Sequence, residues 1–183
     1  MPLQIDSSKY KLFPGQYVEE VYPKNLLVLH FTAGSTASSA VNYWNSTPEK
    51  VATAYVLDTD GITYQTFNPK YFAWHLGFKG SYAHDKRSVA IEIVNVGPLK
   101  VVGDAMMWWP NNFKQRFCLK SETDKYVKSK YRGFEYWAAY TPAQLEAIGP
   151  LVEQICSTHG IPKVLPPVER RDIFDPTFFS TFE

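Results

Sequence analysis

Cysteine is scarce in this sequence and long apolar runs are absent from it, which excludes several classes of protein. The chain of 183 residues has 2 cysteines, Cys118 and Cys156, too few for a disulfide framework. They also lack the Cys-x-x-Cys spacing of a structural zinc site. No apolar run reaches the roughly 18 residues that a transmembrane helix needs. Residues 1–10 lack the apolar stretch of a signal peptide, which leaves the localisation open.

An excess of charge of one sign is missing as well. The formal net charge is +1 at pH 7, whereas dedicated nucleic-acid-binding proteins are usually strongly basic, so we expect no nucleic-acid partner. What the chain does have is 45% hydrophobic residues, which is enough for a globular core at this length. We expect a single domain over residues 1–183, and a monomer.

A histidine at the end of an apolar segment is the first functional signal. Residues 26–31 are apolar on both faces apart from His30, which predicts a strand covered on both sides within a mixed sheet. A Gly/Ser/Thr-rich loop follows at 32–35, and functional side chains concentrate at such strand ends. From this segment alone, His30 fits either a functional group or a structural histidine with satisfied hydrogen bonds.

Helix and strand signals alternate along most of the chain. Periodicity and turn residues predict a helix at 36–45, a hairpin at 54–65 and a strand at 88–95. Ser35 or Thr36 can cap the first helix. Strands that alternate with helices predict an α/β fold, here a mixed central β-sheet of about five or six strands flanked by helices.

The clearest helical signal lies at 141–159. Thr141 and Gln144 fit a capping box at its start, and Gly160 follows its end. Pro150 in the middle predicts a kink or a split, because proline removes a backbone donor and clashes with the preceding turn.

Four short motifs follow one another along the first half of the chain. They combine small, aromatic and titratable residues, and they are His30-Phe31-Thr32-Ala33-Gly34, Asp60-Gly61-Ile62-Thr63-Tyr64-Gln65, Ala73-Trp74-His75-Leu76-Gly77 and Ile91-Glu92-Ile93-Val94-Asn95. In this order they resemble the zinc-dependent N-acetylmuramoyl-L-alanine amidases of the amidase 2 family, relatives of phage endolysin amidases and peptidoglycan recognition proteins. The resemblance covers residues 24–97 well and residues 141–165 less closely.

The resemblance implies a Zn²⁺ cofactor, with His30 as its first ligand, and peptidoglycan or a muropeptide as the partner. Water activated by zinc would attack the lactyl carbonyl of N-acetylmuramic acid and release L-alanine. Glu92 would be the catalytic base. Trp74 and His75 would line the substrate groove, with His75 not counted as a metal ligand.

The surroundings of Glu92 agree with a catalytic role. A carboxylate between Ile91 and Ile93 in a strand is costly unless it faces a wet cleft or a partner. An apolar surround would raise its pKa, which suits a general base. The alternative is a glutamate on an edge strand that faces solvent. For Trp74, stacking on a sugar and packing a loop are equally open.

Residues 98–140 are unusually basic and aromatic. Eight Lys or Arg face four Asp or Glu there, whereas the rest of the chain has a net charge of −3. No long regular period is visible, so we predict a loop-rich insertion at the edge of the sheet. The insertion could help to hold an anionic cell-wall polymer, or it could be a solvated loop packed by its own aromatic residues.

Two further zinc ligands of the family are missing from the sequence. The family supplies a His in a Gly-His-like segment and an Asp or Cys in an Asp-x-Gly-Pro-like segment after the last helix. No histidine follows His159, although Asp175-Pro176 resembles the final motif. We therefore expect the amidase-like domain to be truncated at its C-terminus.

Two other functions compete with zinc-dependent hydrolysis. The main alternative is a non-catalytic module that binds peptidoglycan or a muropeptide and lacks a complete metal site. An unrelated α/β-hydrolase-like domain, which would need a Ser or Cys nucleophile motif, is disfavoured, because no Gly-x-Ser-x-Gly motif is present.

Overall fold

Two β-sheets form the framework of the structure, a computed structural model that describes residues 3–77 and 82–165. The strands of the first sheet are β1 (Ile5–Asp6), β2 (Leu26–Phe31), β3 (Tyr55–Leu57), β4 (Thr63–Gln65) and β5 (Ser88–Ile93), in the order β1-β4-β3-β5-β2. The strands of the second sheet are β6 (Pro98–Val102), β7 (Ala105–Trp108), β8 (Gln115–Leu119), β9 (Tyr126–Tyr131) and β10 (Phe134–Ala138), in the order β8-β7-β6-β10-β9. The helices are α1 (Ala37–Ser46), α2 (Tyr82–Arg87), α3 (Pro110–Phe113) and α4 (Pro142–His159).

Parallel and antiparallel pairs both occur in the first sheet. β5 pairs in parallel with β2 and β3, and β1 pairs in parallel with β4. β3 and β4 form the predicted antiparallel hairpin. Its turn is closed by a hydrogen bond from the Gly61 amide to the Asp58 carbonyl (3.1 Å), and Gly61 has a φ of +85°, which favours glycine. The predicted α/β class and mixed central sheet are confirmed.

Helices α1 and α4 bury their apolar residues in the core of the first sheet. Val41 and Trp44 of α1 belong to the same buried cluster as Leu151 and Ile155 of α4 and Ile91 of β5. Apolar residues of the two helices therefore meet the sheet, and their burial stabilises this half of the molecule.

Both long helices begin at side-chain caps. Thr36 Oγ1 accepts a hydrogen bond from the Ser39 amide (3.0 Å). At α4, Thr141 Oγ1 accepts from the Gln144 amide (3.1 Å) and Gln144 Oε1 accepts from the Thr141 amide (3.0 Å), which is the predicted capping box. The helix continues through Pro150 and is not split there, because one missing amide donor does not remove the apolar burial of its second half.

β2 lies at the edge of the first sheet, where the sequence predicted a strand covered on both sides. Within the described residues it is the last strand of its sheet, and Leu29 and Phe31 are 51% and 41% exposed. The prediction is wrong for this strand, because a short apolar run does not reveal which face another element will cover.

Residues 98–138 form a second, antiparallel sheet where loops were predicted. It buries a small core of its own, made of Val96, Leu99, Met106, Trp108, Cys118 and Ala138. Register shifts interrupt its pairing between Met106 and Met107 and between Phe134 and Tyr136. These irregularities break the two-residue period, which is why the sequence showed no strand pattern there.

Hydrogen bonds join the two sheets beyond the end of β5. Asn95 Nδ2 donates to the Ala138 carbonyl (3.2 Å), and the Trp109 indole N–H donates to the Ala33 carbonyl (2.9 Å). The second sheet is thereby fixed next to the loop that follows β2.

No helix within the described residues is long and apolar enough to span a membrane. Asp175 and Pro176, which resemble the final motif of the family, lie outside the described residues. The expected C-terminal truncation stays a prediction.

Candidate functional site

Strands β2 and β5 place His30 and Glu92 side by side. The two residues are direct partners in the parallel pairing, and Val56 of β3 is the partner of Glu92 on its other side. Paired residues of neighbouring strands project to the same face of a sheet. His30 and Glu92 therefore share one face near the carboxyl ends of their strands, where α/β proteins usually bind ligands.

His75 completes a contact that the sequence did not predict. His30 Nε2 lies 2.9 Å from His75 Nδ1, and His75 Nε2 lies 2.7 Å from Ser88 Oγ. The backbone holds the second imidazole in place, because the amides of His75 and Leu76 donate to Asp85 Oδ1 at 2.9 and 3.1 Å. The His75 side chain is only 5% exposed.

The hydrogen-bond partners favour one tautomer for each of the two imidazoles. The Ser88 hydroxyl donates to the Asp85 carbonyl (3.2 Å), so its oxygen accepts from His75 Nε2. A carboxylate oxygen of Asp85, 3.6 Å from His75 Nε2, favours a proton on that nitrogen. His75 Nδ1 then accepts from His30 Nε2, which leaves the lone pair of His30 on Nδ1.

Burial keeps both imidazoles neutral. It lowers the pKa of His30 from its ordinary 6.5 to about 4. It also lowers the pKa of His75 to about 3, with smaller contributions from the positive charges of His30 and Lys24. At neutral pH the pair therefore acts as a hydrogen-bonded donor and acceptor and carries no charge.

Glu92 is half-buried, and one oxygen of its carboxyl group has spare hydrogen-bonding capacity. Among the described residues its Oε2 is buried and has no hydrogen-bond partner. Burial raises the pKa of Glu92 to about 8, so the group is mostly protonated at pH 7. Perturbed carboxyl groups of this kind concentrate at functional sites.

Tyr140 lies within electrostatic reach of Glu92. Burial raises the pKa of the Tyr140 phenol, and the negative charge of Glu92 raises it further. Tyr140 follows β10 and directly precedes the cap of α4. The end of the second sheet therefore places the Tyr140 phenol near the carboxyl group of Glu92 on the first sheet.

Trp74 packs between two other rings. Its ring centroid lies 5.0 Å from that of Phe72 and 4.7 Å from that of Tyr82, both in edge-on arrangements. Its amide donates to the Lys50 carbonyl (3.0 Å). The ring therefore packs a loop, and its contact with a sugar stays a prediction.

Sequence reasoning missed Ser88, Asp85 and Tyr140. Strand alternation offered a signal for Ser88, because it lies on the same face of β5 as Glu92. Asp85 and Tyr140 come from segments whose approach to the site is set by tertiary packing, so local patterns carried no signal for them.

The described residues do not fit a zinc centre by themselves. A hydrolytic zinc site needs three protein ligands and an open position. Within residues 3–77 and 82–165, no group of three or more His, Cys, Asp or Glu side chains could hold a metal ion. Both ring nitrogens of His75 are engaged, and His30 offers one lone pair, so the metal role predicted for His30 needs further ligands from elsewhere.

Comparison with known proteins identifies the family of this chain. A family model described as N-acetylmuramoyl-L-alanine amidase (Amidase_2) matches residues 20–172. The chain belongs to the N-acetylmuramoyl-L-alanine amidase family. The match contains His30, His75 and Glu92 and the whole second sheet of this amidase-family protein. No curated protein matches it by sequence.

Solved structures share the fold of this amidase-family protein. PlyL superposes with a TM-score of 0.51 at 16% identity, over 88% of this chain and 77% of that chain. The E. coli N-acetylmuramyl-L-alanine amidase AmiD, in complex with anhydro-N-acetylmuramic acid-L-Ala-D-gamma-Glu-L-Lys, gives 0.51 at 20% identity, over 79% of this chain and 47% of AmiD. A mutant endolysin from Bacillus subtilis gives 0.51 at 14% identity, over 87% and 79% of the two chains. At these low sequence identities, the comparisons show a shared fold and no more.

Proposed function

We propose that this chain hydrolyses the amide bond between N-acetylmuramic acid and L-alanine in peptidoglycan. The observation that supports the proposal most is the buried Oε2 of Glu92, unpartnered among the described residues, beside His30 in a chain of the amidase family. A carboxyl group held away from water, with one oxygen to spare, suits proton transfer to and from a substrate.

Glu92 would carry the proton through the reaction. In its ionised form it takes a proton from water while the water oxygen attacks the lactyl carbonyl carbon. The carbon–nitrogen bond then breaks, and Glu92 returns the proton to the amine of L-alanine. Because the pKa of Glu92 is about 8, roughly a tenth of the molecules carry the ionised base at pH 7. We expect the rate to rise as the pH rises through about 8.

His75 would position His30. Its side chain is almost fully buried, and with His75 Nδ1 as the acceptor the proton of His30 lies on Nε2 and its lone pair on Nδ1. Partners of this kind orient imidazoles that bind metals or exchange protons. This supports an indirect role for His75 in place of the predicted contact with substrate, whereas Trp74 keeps its predicted role in the groove.

Zinc dependence is part of the proposal, and it requires further metal ligands. If His30 binds Zn²⁺, the other ligands come from residues that the structure does not describe or from another molecule, since the described residues do not complete a site.

The second candidate function is binding of a muropeptide without hydrolysis. The incomplete set of metal ligands among the described residues favours it. In this case His30 and Glu92 would recognise the lactyl and amide groups by hydrogen bonds, and the bond would stay intact.

One experiment separates the two functions. The full chain is incubated with purified peptidoglycan, with and without added ZnCl₂, and new N-terminal alanine is quantified while calorimetry follows binding of a soluble muropeptide. Glu92→Gln is the test variant, and Glu49→Gln, which changes an exposed carboxylate, is its matched control.

Each outcome decides between the proposals. Release of N-terminal alanine by the wild-type chain and by Glu49→Gln, but not by Glu92→Gln, supports hydrolysis. Binding without release supports the second function. Neither binding nor release, with or without zinc, would overturn both.

A further inference from the structure

The second sheet has both deeply buried and exposed apolar side chains. Leu99, Met106 and Cys118 are each at most 3% exposed. Val127 and Tyr131 of β9, by contrast, are 50% and 42% exposed. Exposed apolar surface is a common mark of an interaction site.

Four aromatic rings form a continuous row, which we call the aromatic row: Phe113, Phe134 and Trp137, which are half-buried, and Tyr131, which is exposed. The centroids of consecutive rings are separated by 5.8 Å (Phe113–Phe134), 5.9 Å (Phe134–Trp137) and 5.8 Å (Trp137–Tyr131). The Trp137 indole N–H donates to the Ser129 carbonyl (3.0 Å), which fixes the ring at the centre of the row. The row is therefore preorganised before any ligand arrives.

A cation lies at each end of the aromatic row. Lys100 Nζ is 4.2 Å from the ring centroid of Phe113, and the Arg132 guanidinium is 5.6 Å from the ring centroid of Tyr131. Residues 98–140 as a whole carry eight basic and four acidic side chains, whereas the rest of the chain is net negative. Positive charge is thus concentrated on the part of the molecule that also exposes its rings.

We propose that the aromatic row binds an anionic polysaccharide. The apolar C–H faces of sugar rings suit a row of aromatic rings, and the flanking Lys100 and Arg132 suit negative groups repeated along the same polymer. The moderate local charge excess favours such a polymer over a nucleic acid, whose binding sites are more strongly basic. The surface lies on the second sheet, so this binding does not depend on hydrolysis at Glu92.

The test measures binding of soluble polymers to the full chain. The probes are polygalacturonate as the anionic polysaccharide, dextran as a neutral one, and a single-stranded oligodeoxynucleotide, titrated at low and at moderate salt. None of these probes contains a muramoyl amide, so the result is separate from that of the hydrolysis experiment.

Two sets of variants address rings and charges separately. Tyr131→Ala removes an exposed ring of the row, and Tyr43→Ala removes a similarly exposed ring of α1 as its control. The double variant Lys100→Gln/Arg132→Asn removes the two cations. Asparagine suits the positive φ of +49° at residue 132. Lys70→Gln/Lys163→Gln removes two cations outside the second sheet as the control.

The proposal predicts that polygalacturonate binds and dextran does not, with at least tenfold weaker binding at the higher salt. Tyr131→Ala and Lys100→Gln/Arg132→Asn should each weaken binding by about fivefold or more, with unchanged melting temperatures, and both controls should bind as the wild type does. Equal losses in test and control variants would show non-specific attraction and overturn the proposal. Tighter binding of the oligonucleotide than of polygalacturonate would overturn it in favour of a nucleic-acid site.

Discussion

The two sheets of this protein use titratable side chains in opposite ways. On the first sheet, burial brings the pKa of His30 and His75 far below, and that of Glu92 far above, their ordinary values. In the connection between β8 and β9 of the second sheet, charged groups stay in solvent, as in the Lys125–Glu122 pair (2.6 Å), whose side chains are 49% and 35% exposed. Withdrawal from water moves the pKa of Glu92 toward neutral pH and keeps the two imidazoles uncharged, whereas exposure leaves charges that can only attract a partner.

The two cores differ as well. Among the residues that the structure describes, the cluster around Ile91 contains 20 buried residues and includes both long helices, whereas the cluster around Met106 contains six. Stability grows with the apolar surface that is buried. We therefore expect the first sheet to be the more resistant half of the molecule, and the second sheet to open more readily.

The largest expected effect belongs to Glu92→Gln. Loss of the base should reduce hydrolysis by about 10² to 10⁴-fold. The variant should remain folded. The pKa of Glu92 in the folded wild type is about 8, above the ordinary 4.5. The wild-type group therefore contributes stability below pH 4.5, and this contribution is lost as the pH rises to 8. The variant lacks this pH-dependent loss. In urea unfolding, its free energy of unfolding relative to that of the wild type should therefore increase between about pH 5 and pH 8. A variant that keeps full activity would remove Glu92 from the mechanism.

Paired core truncations test the difference in stability between the sheets. Leu151→Ala, at a fully buried position of α4, should lower the free energy of unfolding by about 2–5 kcal/mol and speed amide exchange throughout the chain. Leu99→Ala, at a 1% exposed position of β6, should speed exchange in β6–β10 while β5 stays protected. Equal acceleration of both sheets by Leu99→Ala would mean that they unfold as one unit.

Gly97 tests the junction between the sheets. Its φ is +78°, and a Cβ there would lie 2.5 Å from Phe31 Cε2. Gly97→Ala should cost about 1–3 kcal/mol in chemical denaturation. Gly15→Ala is the matched control, because Gly15 has a φ of +89° but no atom within 4 Å of such a Cβ. It should cost about 1 kcal/mol. Identical costs would show that the contact with Phe31 does not hold the junction.

The imidazole pair affects stability only below pH 6.5. The pKa values of about 4 and 3 for His30 and His75 lie below the ordinary 6.5, so stability is full above pH 6.5 and is lost as the pH falls. Each group contributes a slope of about 1 kcal/mol per pH unit between pH 6.5 and 4. His75→Gln, which can still accept from His30 and donate to Ser88, should have the shallower slope in urea unfolding. An unchanged slope would mean that His75 is not a buried neutral imidazole.

The sequence predicted what depends on local patterns. The end of an apolar segment indicated His30, and strand alternation indicated the strand of Glu92. The motif order supported both residues, and the capping residues Thr36 and Thr141 located the starts of two helices. The His30–His75 contact was missed, because it joins residues 45 positions apart through a loop held by Asp85. The second sheet was missed for another reason, since register shifts removed the period by which strands are recognised.

The most direct test of the central claim follows oxygen from water into product. A synthetic N-acetylmuramoyl-L-alanyl peptide is incubated with the full chain and ZnCl₂ in H₂¹⁸O, and the products are analysed by mass spectrometry. The account predicts one ¹⁸O in the lactyl carboxylate of N-acetylmuramic acid, together with a peptide that begins with unlabelled L-alanine, and no such products with Glu92→Gln. Intact substrate, or ¹⁸O in a peptide carboxylate instead, would contradict it.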